Sequence, residues 1–193
     1  MKKIFIYAVA AITTMSLSLT SCKKGEGDPF ISLKSRKSRL AGEWTVSAGN
    51  GTDMNSGVNT TWTYDGTQEV TTYPSPFPQT TDKWTLTHTI EKDGTFTSVY
   101  VDNDASPAET TTTTGTWNFT GGVGEYKNKS QVVFTTLSMT SSAGGSVTYT
   151  GSDAPTIMYD IYQLKNKEVI VKYDGTTSSP SSSSSGEYTW TAK

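Results

Sequence analysis

The sequence predicts an all-β fold, an up-and-down antiparallel β-barrel of about 8–10 strands preceded by a short helix. Three observations carry that expectation. Thr, Val, Tyr and Trp dominate from residue 43 onward, the residue types that suit pleated, half-buried strands. Turn residues recur at close intervals, and no window sustains a helical period. Hairpin follows hairpin in chain order, and curling such a meander shut removes its exposed edges. A two-sheet sandwich is the competing arrangement. Strands are expected near 43–48, 60–65, 68–73, 83–91, 95–102, 110–120, 130–139, 146–150, 157–164, 168–174 and 186–192.

The chain starts with Lys2-Lys3 and an apolar run from Ile4 to Ile12, then a weaker Thr/Ser/Leu stretch to Leu19. This has the charge and polarity of a secretory signal and is too short and polar for a membrane span. Leu19-Thr20-Ser21-Cys22 resembles the bacterial lipobox. Small residues there let a peptidase grip an extended backbone, and the cysteine thiolate accepts the lipid. The alternative is a cleaved signal with an incidental cysteine. As the single cysteine, Cys22 excludes a disulfide framework and a thiolate metal cluster. Residues 1–21 are therefore expected to be a lipoprotein signal peptide, 22–39 a lipidated tether and basic neck, and 40–193 the barrel. Palmitate-type chains on Cys22 would tether the mature protein to a membrane without spanning it. Each buried methylene contributes about 0.8 kcal/mol, so several chains hold where one does not.

Residues 23–40 carry six Lys/Arg against two Asp/Glu, whereas 41–193 carry eight against sixteen. A basic neck of this kind is expected either to lie on anionic headgroups or to serve as a solvated spacer. Asp28-Pro29 reads as a helix start, with Phe30, Leu33, Lys37 and Leu40 at helical spacing and Gly42 as the stop. Gly42 permits a sharp bend, and Trp44 then turns inward as an apolar plug at one end of the barrel. An ordinary turn followed by a core tryptophan is the plainer reading of the same residues.

Two hairpins can be registered from their pattern. Trp84, Leu86, His88 and Ile90 share one face, and a three-residue loop Lys92-Asp93-Gly94 sets Ile90 opposite Phe96 and Leu86 opposite Tyr100. A two-residue turn would leave those aromatics outside. The same argument at Lys165-Asn166-Lys167 puts Tyr159, Ile161, Val169, Val171 and Tyr173 on one face. The proline run Tyr73 to Pro78 is expected as a semi-rigid loop over an open end, and Ser178 to Ser185 as a mobile loop. Thr110 to Thr114 reads as a solvent-facing edge strand; an ice-binding face would need a long regular repeat, which these threonines lack.

Leu, Ile, Val and Phe make up only 33 of 193 residues, so tyrosine and tryptophan must supply much of the interior. Such an interior is polar-lined and suits a pocket better than a dry core. The pocket candidates are Trp84, His88, Phe96, Tyr100, Trp117 and Tyr159. His88 is the single histidine, so neither a zinc site nor a histidine-based triad is expected. Asp102-Asn103-Asp104 offers three oxygen ligands but lacks the EF-hand glycine and terminal glutamate, and an ordinary loop is the plainer reading. With no phosphate loop, nucleophile elbow or paired catalytic carboxylates, neither an enzyme nor a cofactor is expected. The acidic balance of the domain does not suit nucleic acid.

Two stretches resemble a known group. Asp28-Pro29-Phe30-Ile31-Ser32-Leu33, leading through Arg36-Lys37 into Leu40-Ala41-Gly42-Glu43-Trp44, is similar to the opening of lipocalin-like lipoproteins of the Bacteroidota. Tyr159 to Val169 resembles that group's late hairpin. The resemblance implies an up-and-down barrel closed at one end by Gly42 and Trp44, and an outer-membrane anchor. The loop motif Thr-Asp-Tyr and the late arginine of the wider lipocalins are missing, so Arg39 or Lys193 is expected to cover Trp44 instead. A tethered protein binding a small hydrophobic or amphipathic ligand is the expected function. A structural or accessory lipoprotein that contacts a protein or glycan partner is the alternative.

Overall fold

Antiparallel neighbours close into a barrel in the computed structural model, which describes residues 27–29, 32–121, 130–176 and 182–193. The signal segment, Cys22, Lys23, Lys24, Phe30 and Ile31 lie outside the described residues. The strands are β1 (Gly42–Asn55), β2 (Val58–Tyr64), β3 (Gln68–Thr72), β4 (Thr80–Ile90), β5 (Thr95–Asp102), β6 (Glu109–Thr120), β7 (Gln131–Ser141), β8 (Ser146–Thr148), β9 (Thr156–Leu164), β10 (Glu168–Thr176) and β11 (Ser182–Ala192). Their order is β6-β5-β4-β3-β2-β1-β11-β10-β9-β7-β8, and pairing of β6 with β7 closes the ring. Ten strands form the wall, with β8 paired only to the outer end of β7.

The wall widens from base to rim. Near the base β1 pairs directly with β4, from Gly42↔Ile90 to Thr45↔Thr87. Higher up β1 pairs with β2 from Gly49 to Asn55, so the β2–β3 hairpin enters the ring there and adds two strands. A bulge between Val46 and Ala48 marks the change. Below it Trp44 and Val46 face inward; above it the inward positions are Gly49, Gly51 and Asp53. The glycines make room for rings: a Cβ on Gly51 would lie 2.5 Å from Trp62 Cζ2, and one on Gly186 2.7 Å from the same atom. Trp62 therefore lies across bare backbone.

Both registered hairpins match their expected faces. Ile90 sits opposite Phe96 and Leu86 opposite Tyr100, with Gly94 at φ 102°. The later hairpin differs in detail. Near its tip Leu164 pairs with Val169, the register of a two-residue turn, and a bulge between Ile170 and Val171 then restores Ile161↔Val171. Along β9 and β10 the ladder runs only from Val169↔Leu164 to Lys172↔Asp160, so the wall parts beyond it.

Several expectations are corrected. Thr110–Thr114 is not an edge: β6 is paired on both sides, and Thr111 and Thr113 face the lumen. Ser182–Ser185 is not a loop but the first part of β11, paired with β1 and β10. The helix, α1, spans only Arg36–Leu40, with Ser35 as N-cap accepting from Ser38 N at 3.1 Å. Asp28 caps no helix. It is buried under the barrel, accepting from Leu164 N at 2.8 Å and from the Arg36 guanidinium, with Arg39 Nη2 3.6 Å away.

That triad changes the reading of the neck and of the plug. Arg36 and Arg39 are buried against the base and cannot lie on headgroups. Arg39 Nη1 donates to the Leu164 carbonyl, and Arg36 stands 6.0 Å from the Phe119 ring centroid. Neither covers Trp44, which is 2 % exposed and donates its indole N–H to the Leu40 carbonyl at 2.8 Å. The Arg36 pKa is lowered, chiefly by burial, with Asp28 raising it and Arg39 lowering it. The triad thus fixes how the neck docks, at an electrostatic cost.

Candidate functional site

The core divides the barrel into a filled base and a partly open lumen. Leu40, Trp44, Val46, Ile90, Val132, Leu164, Val169 and Val171 are almost wholly buried and pack together at the base. Above them is a chamber of about 190 Å³ lined by Leu86, His88, Phe96, Ser98, Thr113, Phe134, Thr136, Ile157, Tyr159 and Trp190. Its walls come from β4, β5, β6, β7, β9 and β11, each offering every second residue to the inside.

The chamber has aromatic walls and one titratable group. Phe134 meets Phe96 edge-on at 5.1 Å, and Tyr159 meets Trp190 edge-on at 5.7 Å. His88 Nδ1 lies 2.7 Å from Ser98 Oγ, and its ring centroid is 4.8 Å from that of Trp190. Burial pushes the His88 pKa down to about 4, so the imidazole is neutral at pH 7. Burial also pushes the Tyr159 hydroxyl well above its ordinary range. A neutral imidazole, four hydroxyls and apolar rings can hold a small, mostly apolar molecule with one or two hydrogen-bonding groups.

A second hollow, about 580 Å³, sits at the rim and is lined by Asp53, Asn55, Ser56, Val58, Thr60, Thr71, Tyr73 and Phe77. The proline-rich loop between β3 and β4 supplies Tyr73 and Phe77, as expected for a cover over the open end. Inside the rim, aromatic rings form two stacks. Tyr64 lies on Trp84 at 3.7 Å and 6°, with Tyr100 5.9 Å beyond; Trp62 stacks on Tyr188 at 5.2 Å, and Tyr188 on Tyr173 at 5.8 Å.

Of the sequence candidates, His88, Phe96 and Tyr159 line the chamber together. Trp84 and Tyr100 face inward but belong to the rim stack. Trp117 is part of the base: it is buried, donates to the Glu91 carbonyl at 2.8 Å and carries Lys37 5.9 Å from its ring. Trp190 and Phe134 were missed, although Tyr188 and Trp190 alternate in the last strand and would have marked its inner face. Asp102 and Asp104 act as turn acceptors, Asp102 for the backbone N–H of Asp104 and Ala105, and Asp104 for that of Lys83. Cys22 lies outside the described residues.

Fold and site define a closed antiparallel β-barrel with a plugged base, an aromatic lumen and an open rim. Comparison with protein-family models, with curated proteins and with solved structures finds no match.

Proposed function

We propose that this chain is a lipocalin-like lipoprotein, anchored to the outer membrane through Cys22, that binds a small hydrophobic or amphipathic ligand in its lumen. One observation carries the reading: the aromatic chamber around the His88–Ser98 pair, enclosed above a packed base. At about 190 Å³ the chamber is smaller than the roughly 300–1,000 Å³ of drug-sized sites. Its occupant is therefore a single ring or short chain, with any larger part reaching toward the rim hollow.

Native mass spectrometry of the full chain purified from its own membranes tests both halves. The expected result is a mass increment for acyl chains on Cys22 and a second, dissociable increment for a small molecule. An acylated chain with an empty lumen at every step of purification would favour the alternative, a structural or accessory lipoprotein. That alternative has its own support in the exposed apolar side chains Leu137, Val147 and Met158 of β7, β8 and β9, none of which lines the chamber.

A further inference from the structure

Inward polar side chains elsewhere in the barrel are spent on the protein itself. Trp44 and Trp117 donate to the carbonyls of Leu40 and Glu91, and the Tyr64 hydroxyl donates to that of Trp84 at 2.9 Å. The chamber is different. His88 Nε2, Thr113 Oγ1, Thr136 Oγ1 and Tyr159 Oη have no hydrogen-bond partner among the described residues, and none of the four is sealed from open space. All four belong to residues that line the one small cavity. Buried polar groups are otherwise paired, so such a set is the complement of a polar ligand.

Charge and shape narrow the class. No lysine, arginine or carboxylate lines the chamber, so a charged ligand would lose its hydration there and find no counter-charge. The walls are rings, with Phe134 edge-on to Phe96 and 6.2 Å from Trp190. An apolar cavity of about 150 Å³ holds benzene. A chamber of about 190 Å³ therefore admits one ring with a small substituent. His88 Nδ1 is already engaged by Ser98 Oγ, which limits what the other ring nitrogen can do. If Ser98 donates, Nε2 carries the proton and donates; if Nδ1 donates, Nε2 accepts. A hydroxyl answers either tautomer, whereas a carbonyl or an ether answers only the first.

We infer that the ligand is an uncharged ring of the phenol type, its hydroxyl bonded to His88 Nε2 and its ring held among Phe96, Phe134 and Trp190. This rests on the lumen being a ligand site. Because His88 is the single histidine, isotope labelling of histidine nitrogen in the full chain gives a magnetic resonance signal from this ring alone. Phenol should move the Nε2 resonance well beyond the shift produced by toluene, its near-isostere without the hydroxyl. That readout needs no variant. Calorimetric titration supplies the affinities, and benzoate and benzylammonium should bind at least about tenfold more weakly than phenol. In His88→Leu the ratio of phenol to toluene affinity should fall roughly threefold to tenfold, the span of one hydrogen bond.

An Nε2 resonance that moves alike with phenol and toluene, or an unchanged phenol-to-toluene ratio in His88→Leu, overturns the hydroxylated ligand and leaves the lumen as a binding site. Charged probes that bind as tightly as phenol overturn the uncharged class in the same way. No binding of any probe at millimolar concentration overturns both the ligand class and the lumen site.

Discussion

Replacing Asp28 by Asn removes one negative charge from a site where two guanidiniums are buried. Arg36 and Arg39 are each about 5 % exposed or less, and Arg36 Nε and Nη2 and Arg39 Nε have no hydrogen-bond partner among the described residues. Asp28→Asn keeps the size of the side chain, and its amide oxygen can still accept from Leu164 N. Its amide N–H group, however, then faces the Arg36 donors. Breaking a buried pair on one side costs about 3–5 kcal/mol, a large part of the roughly 5–15 kcal/mol that holds a domain folded. With a urea m-value of about 2 kcal/mol/M, the midpoint should fall by roughly 2 M. Tryptophan fluorescence reads the transition, since Trp44 sits against α1. Replacing all three together, Asp28→Leu with Arg36→Met and Arg39→Leu, should cost less than Asp28→Asn alone, because no charge is left stranded. A midpoint that moves by less than about 0.3 M in Asp28→Asn, about a seventh of the expected fall, refutes the docked-neck account.

Other outcomes follow from the lumen and its walls. The depressed His88 pKa means that the unfolded chain takes up a proton near 6.5 and the folded chain only near 4. The stability contributed by the neutral imidazole is present above pH 6.5 and is lost as pH falls toward 4. The difference in unfolding free energy between wild type and His88→Gln should shift by up to about 3 kcal/mol over that window, read from paired urea curves. Gly51→Ala places a methyl 2.3 Å from the Ser185 carbonyl and against Trp62, and should destabilise by about 1–3 kcal/mol with a change in tryptophan emission. An unchanged melting curve would mean that Trp62 does not lie on β1.

The barrel class and the two hairpin faces were legible because alternation is a local signal; Ile90–Phe96 needs only period two and a loop length, whereas Ile161–Val171 also needs the bulge between Ile170 and Val171. The upper half of β1 was not legible. The first strand is expected only near 43–48, yet β1 runs on to Asn55, and its glycines at 49 and 51 are set by Trp62 and Tyr188, which arrive from β2 and β11. Ser182–Ser185 hid in the same way, as small residues facing a crowded wall. Asp28 was misread for a related reason. A helix-start pattern is local, whereas its true partners, Arg36, Arg39 and Leu164, meet only when the base closes. Half of the pocket candidates reached the chamber because inward-facing is visible in sequence, and height along the barrel is not.

The central claim is that the lumen above the plug, and not the outer surface, takes the ligand. The most direct measurement is binding of the fluorescent apolar probe N-phenyl-1-naphthylamine to wild type and to a variant whose chamber is filled, Ser98→Phe with Thr113→Leu, both residues lining that space. Binding by the wild type and its loss in a filled, still cooperatively folding variant is the predicted result. Equal probe binding by both proteins would contradict it.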